Sequence, residues 1–171
     1  MTASGVTLRP AVAADRAFLF DVYASTREPE LALVDWSPAQ RQAFLEQQFS
    51  AQDLTYRGRY PTGRFLVIEQ SGHAIGRLYI GRLPNEIRVV DISLVPAHRG
   101  HGIGTGLIRR LMAEAEAEGA ALTLYVEAFN PAHRLYSRLG FRRIDEHGAY
   151  ELLMWRPERG TARTDDSAVV R

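Results

Sequence analysis

The stretch from Glu86 to Val126 constrains the fold of this chain more than any other. A strand-like run, Glu86 to Val95, stops at Pro96 and leads into a loop with glycine at 100, 102, 104 and 106. An amphipathic helix follows, with Ile103, Leu107, Ile108, Leu111, Met112 and Ala115 on one stripe and Gly119 as its stop. Leu122 to Val126 is then a nearly continuous apolar run, the pattern of a buried strand. A strand, a crossover helix and a second strand imply a parallel pair. Upstream, Arg64–Gln70 and Ala74–Arg82 are joined to each other and to Glu86–Val95 through Ser71-Gly72 and Pro84-Asn85. Such short turns join antiparallel neighbours, so the sheet is expected to be mixed.

The flanks extend this plan. Val6–Arg9 reads as a strand stopped by Pro10, and Asp15 is a candidate cap for a helix carrying Phe18, Leu19, Val22 and Tyr23. Arg27 to Trp36 reads as an acidic connection. Ser37-Pro38 then starts a second helix, with the hydroxyl at N-cap and proline at N1. After the apolar run, Asn130-Pro131 opens a short helix with Ala132, Leu135, Tyr136 and Leu139 on one face. Phe141–Ile144 and Tyr150–Trp155 finish the pattern as a strand or hairpin. The expected order is β-α-α-β-β-β-α-β-α-β, an α/β (α+β) domain over residues 1–157 with helices flanking a mixed central sheet. Residues 158–171 lack periodicity and are expected to form a flexible tail.

Composition removes whole chemistries. All 21 basic residues are arginine; lysine and cysteine are absent. Disulfides, thiolate metal sites and cysteine acyl-enzymes are therefore excluded, as are a Walker A loop and a lysine Schiff base. The five histidines are scattered, so no metal site is expected. With 20 acids the net charge is +1, which points to neither a nucleic-acid nor a membrane partner. The N-terminus lacks a long apolar run and no span of about 18 apolar residues occurs, so a cytoplasmic protein is expected.

The loop Val95 to Gly106 carries the chemistry. Glycines ahead of a helix let backbone N–H groups approach an anion, and the helix N-terminus adds positive potential. The reading is a phosphate or diphosphate site, with Arg99 adding a charged contact. The dinucleotide fingerprint G-x-G-x-x-G fails here, because the residues five beyond Gly100, Gly102 and Gly104 are Thr105, Leu107 and Arg109. Glu127, ending the next strand where a ribose-binding acid would sit, keeps a nucleotide-binding oxidoreductase as the alternative.

Two segments resemble one family. Arg99-x-x-Gly102-x-Gly104, between a strand and an amphipathic helix, resembles the acyl-CoA loop of GNAT-type N-acetyltransferases. Asn130-Pro131-Ala132-x-x-Leu135-Tyr136-x-x-Leu139-Gly140-Phe141 resembles that family's N-x-A-x-x-L-Y-x-x-x-G-F segment. The resemblance spans about residues 5 to 156 and is strongest from Ile92 to Phe141. It implies a GNAT-like fold and direct transfer of acetyl from acetyl-CoA to an amine. Backbone at Leu94 and Val95 would pair with the pantetheine arm, one of the two supplying an oxyanion donor. Arg99, Gly100, Gly102, Gly104 and Thr105 would cradle the diphosphate, and Asn130 would bond the pantetheine region. Tyr136 would protonate the leaving thiolate.

The resemblance leaves the base open. Arg88 falls where some members carry a glutamate, and Asp91 and Glu127 are the nearest acids. Each reads equally as an exposed acid or an arginine partner. Glu28, Glu30 and Asp35, near Tyr23, Trp36 and Tyr56, either hold a cationic amine or form a solvated acidic loop over core aromatics; the second reading weighs more. A non-catalytic acyl-CoA-binding module is a further alternative, and the acceptor, a small molecule or a peptide, stays unidentified.

Overall fold

The protein was analysed as a computed structural model, which describes residues 5–158. From residue 159 onward, the expected tail lies outside the described residues. The strands are β1 (Val6–Pro10), β2 (Arg64–Gln70), β3 (His73–Leu83), β4 (Glu86–Leu94), β5 (Ala121–Glu127), β6 (Arg142–His147) and β7 (Tyr150–Trp155). The helices are α1 (Arg16–Leu31), α2 (Pro38–Arg59), α3 (Ile103–Glu118) and α4 (His133–Arg138). One seven-stranded sheet runs β1-β2-β3-β4-β5-β7-β6. Among the described residues only the β4–β5 pair, joined by the α3 crossover, is parallel.

Each face of the sheet has its own core. The α3 stripe of Ile103, Leu107, Ile108, Leu111 and Ala115 packs with Ile68, Leu78, Ile87, Val89, Leu122 and Leu124 from the strands. Full burial of such side chains stabilises by about 1.5–3 kcal/mol each. On the opposite face, Leu19, Phe20 and Tyr23 of α1 and Leu45 and Phe49 of α2 close over Val67. The sequence signals for the turns are realised locally. Ser71 and Gly72 take positive φ between β2 and β3, and Asn85 does so between β3 and β4. Ser37 and Gln40 form a reciprocal capping box ahead of Pro38.

Three local expectations change. The acidic connection begins later, because α1 runs through Pro29 to the buried Leu31; packing of Leu31 outweighs the single hydrogen bond that proline removes in the last turn. Asp15 does not cap α1: its carboxylate instead takes Arg9 in a two-pronged pair at 2.8 Å and accepts the Val12 N–H. The C-terminal segment is a hairpin, β6–β7, which adds one strand to the expected order.

A bulge in β4 shapes the centre of the sheet. Tyr79 pairs with Asp91 and Ile80 with Val89, which leaves Val90 as an extra residue. Ile92 and Leu94 therefore share the α3 face with Ile87 and Val89, while Asp91 and Ser93 turn toward α1 and α2. Parallel pairing with β5 ends at Val89–Leu124. Beyond the bulge, β4 and β5 part.

Candidate active site

The parting of β4 and β5 opens a cleft of about 560 Å³. Val89–Ser93 form one wall, Leu124–Glu127 the other, and α1 and α2 roof it with Tyr23, Thr26 and Tyr56. Six of the chain's seven tyrosines line it: Tyr23, Tyr56, Tyr60, Tyr125, Tyr136 and Tyr150. Volume and lining suit a small organic substrate. Among the described residues, no group of three or more His, Asp or Glu could hold a metal ion, and no helix is long and apolar enough to cross a membrane.

The glycine loop lies between the end of β4 and the start of α3. Gly100 and Gly102 have φ of +75° and +79°, a region costly for any residue with a Cβ. The N–H groups from Gly100 to Thr105 donate no hydrogen bond among the described residues. Those of Ile103, Gly104 and Thr105 are the orphan donors of the α3 N-terminus. A Cβ at Gly104 would meet nothing within 4 Å, so the approach to these donors is open. This donor set fits a diphosphate: convergent N–H groups, positive helix end and no side chain in the way. His101 is exposed beside it, and the Nδ1 of His98 is buried without a partner among the described residues.

Arg99 is placed differently from a simple phosphate ligand. Its Nε donates to the Leu94 carbonyl and its Nη2 to the Ser25 hydroxyl, both at 2.9 Å. The guanidinium thus ties the end of β4 to α1.

The two candidate backbone donors also separate. The Val95 N–H donates to the Ile75 carbonyl at 2.9 Å. Along a strand, successive N–H groups point to opposite sides, so the Leu94 N–H is directed away from β3 and toward the opening beside β5. Leu94 is therefore the free donor of the pair.

Tyr136 and Asn130 are brought to the same cleft by α4 and the turn before it. The Tyr136 ring packs edge-on against Phe141 at 5.6 Å, while its hydroxyl makes no hydrogen bond among the described residues. Burial pushes this phenol above its ordinary 10, so it stays protonated at neutral pH. The Asn130 Oδ1 accepts the Ala132 N–H and fixes the turn into α4. Its amide group remains on the cleft wall.

The two candidate acids differ in their commitments. Asp91 is held by the Arg77 guanidinium at 2.8 and 3.2 Å and accepts the Ser93 hydroxyl at 2.8 Å. Arg77 itself is almost wholly buried and also donates to Gln52. Glu127 is exposed, with a single long contact of 3.4 Å from the Tyr150 hydroxyl.

The acidic connection contributes only one of its acids. Glu30 lines the cleft, paired with Arg27 at 2.9 Å, whereas Glu28 and Asp35 are absent from the lining. Trp36 packs against Phe44 instead. Sequence reasoning missed Arg77, Tyr60, Tyr125 and Tyr150. Alternation along β3 and β5 could have placed Arg77 and Tyr125 on the face opposite the α3 core; nothing local marked Tyr60 or Tyr150.

Comparison with known proteins identifies the family and the fold. The family model described as the acetyltransferase (GNAT) family matches residues 21–141. A Bacillus subtilis (strain 168) protein provisionally named a ribosomal protein bS18-alanine N-acetyltransferase is 29% identical over 104 residues, covering 56% of this chain and 69% of that one. The mycothiol acetyltransferase of Corynebacterium glutamicum is 44% identical over 68 residues, 39% of this chain but only 23% of that one. Among solved structures, the PaiA N-acetyltransferase of Thermoplasma acidophilum, in complex with coenzyme A, superposes with a TM-score of 0.69 at 18% identity, over 90% of this chain and 99% of that one. An acetyltransferase of Thermus thermophilus gives 0.67 at 20% identity, over 92% and 100%. The family match, which spans most of the chain, establishes that it belongs to the GNAT acetyltransferase family and is an acetyl-CoA-dependent acyltransferase.

Proposed function

We propose that this protein transfers acetyl from acetyl-CoA directly to an amine, with both substrates bound in the cleft at once. One observation carries the reading: a phenol without a hydrogen-bond partner, Tyr136, and a little-committed carboxylate, Glu127, line one cleft where β4 and β5 part, and β4 runs on from that cleft to Leu94 and the glycine loop. Bound acetyl-CoA supplies a thioester carbonyl that amines attack. The residues of the chain then have separate tasks.

The N–H groups of Gly100 to Thr105 hold the diphosphate, and the edge of β4 at Leu94 aligns the pantetheine arm as an added strand. The Leu94 N–H donates to the thioester oxygen as negative charge grows there. Asn130 bonds the pantetheine region. Glu127 accepts a proton from the acceptor's ammonium, because its oxygens are the less committed; Asp91 spends its lone pairs on Arg77 and Ser93 and serves to hold that arginine. Tyr136 Oη donates its proton to the departing thiolate. With no cysteine in the chain, a thiol carrier plays no part.

Thermal unfolding with acetyl-CoA, CoA and NAD tests the cofactor, and free-CoA release over a panel of amines tests the transfer. Stabilisation by acetyl-CoA and release with at least one amine class is the expected result. Stabilisation by NAD alone would overturn the reading in favour of an oxidoreductase. CoA binding with no release from any amine would leave an acyl-CoA-binding module.

A further inference from the structure

The charges on the cleft wall say what kind of amine fits. Four guanidiniums line it, Arg27, Arg59, Arg77 and Arg88, against three carboxylates, Glu30, Asp91 and Glu127. Arg27 takes Glu30 and Arg77 takes Asp91. Glu127 is left for the ammonium of an acceptor. Arg88 takes Glu86, which lies outside the lining, so Arg59 is the cation left over. Arg59, at the rim, has no ion pair among the described residues. Arg88, in the floor, is only 8% exposed.

Arg88 has the form of a built seat. Its Nε donates to Thr123 Oγ1 at 3.1 Å and its Nη2 to Glu86 at 2.5 Å. These contacts hold the guanidinium over the Tyr125 ring, 5.0 Å from the centroid, and Tyr60 adds a further favourable neighbour. The Tyr60 hydroxyl is a further side-chain partner, and Nη1 has no partner among the described hydrogen bonds. Desolvating an arginine this far while leaving a donor unused is costly unless a ligand completes the set. Glu127 lies two residues beyond Tyr125 on the same face of β5, roughly 7 Å along the strand. A small zwitterion bridges such a span with a hydrogen bond at each end.

Resting on the proposed transfer to an amine in this cleft, we infer that the acceptor is an amino carboxylate, its amine at Glu127 and its carboxylate on Arg88. A polyamine finds a single uncommitted carboxylate, Glu127, for its several ammonium groups.

The test uses the wild-type protein and matched triplets: each of a panel of amino acids, its carboxamide, and the amine lacking the carboxylate. Free-CoA release should give a kcat/KM at least about 10-fold higher for the best carboxylate than for its two partners, the loss expected for one charge-assisted hydrogen bond. Arg88→Gln should erase that preference through KM, with the affinity for CoA unchanged, and Arg88→Lys should restore part of it. If Arg88→Gln does not fold, Arg59→Gln should still raise KM for the carboxylate selectively. Carboxamides or simple amines turning over as well as the carboxylates would overturn the inference while leaving acetyl transfer standing. No release from any amine, with CoA still bound, would overturn both.

Discussion

Removing the Tyr136 hydroxyl separates chemistry from architecture. The ring is buried, packs against Phe141 and belongs to the α3-side core. The hydroxyl bonds to nothing among the described residues. Tyr136→Phe therefore deletes no hydrogen bond and leaves no cavity, so stability should stay within about 0.5 kcal/mol of wild type. Truncation to alanine, by contrast, would empty the ring's volume at a cost of about 3–5 kcal/mol. If the phenol protonates the thiolate, kcat should fall about 10²-fold in the phenylalanine variant, or roughly 2.7 kcal/mol of barrier. CoA affinity should change less than about twofold. Because burial raises the phenol above its ordinary 10, the wild-type rate should show no loss of a protonated acid between pH 6 and 9. Stopped-flow or plate-based thiol release over that range, with calorimetric titration of CoA and thermal melts, reads all three quantities. A kcat within threefold of wild type would refute the acid role. An equal loss in CoA affinity would move the hydroxyl from proton transfer to binding.

Gly102→Glu should abolish measurable CoA binding, since it sets a side chain at φ +79° and a negative charge at the anion cradle; unchanged affinity by calorimetry would remove the loop from the site. Glu127→Gln should suppress the basic rise of the pH–rate profile, while Asp91→Asn should mainly lower the melting temperature by stranding Arg77; a profile altered only by the second variant would exchange their roles. Asp15 is lowered from 3.8 to about 2, first by Arg9 and then by the Val12 N–H, so its contribution to stability is full above 3.8 and is lost as pH falls toward 2. Asp15→Asn should thus show a lower urea midpoint than wild type at pH 6, with the two curves converging below about pH 2; a gap that persists there would disprove the linkage.

The cofactor half of the site is legible in sequence because its determinants are local. Glycines at 100 and 102 sit where φ is positive, and the α3 stripe starts at once behind them. Backbone N–H groups need no distant partner to face an anion. The Asn130–Phe141 segment is likewise one turn and one short helix, and its register brings Tyr136 to the cleft. Arg99 shows the limit of local reading: its neighbours in sequence point to phosphate, and only the fold shows that Ser25, far off in the chain, takes one of its donors.

The proposed acceptor side was legible only in part: Asp91, Glu127, Glu30, Tyr23 and Tyr56 stand out in the sequence, but not how the fold gathers them. Val90 carries no signature of a bulge, and a bulge depends on the registers of both neighbouring strands. Yet that one residue parts β4 from β5 and turns Asp91 toward Arg77. Tyr23, Tyr56 and Tyr150 come from α1, α2 and β7, Tyr60 follows directly on α2, and they meet only because the two helices close over the sheet. Local pattern by itself determined the order of elements up to α4, the glycine loop ahead of α3 and the short helix that carries Tyr136, since backbone conformation and hydrophobic period are short-range. Tertiary packing alone decided that Glu127 stays free while Asp91 is taken by Arg77, because that pairing is settled between residues that the sequence holds apart.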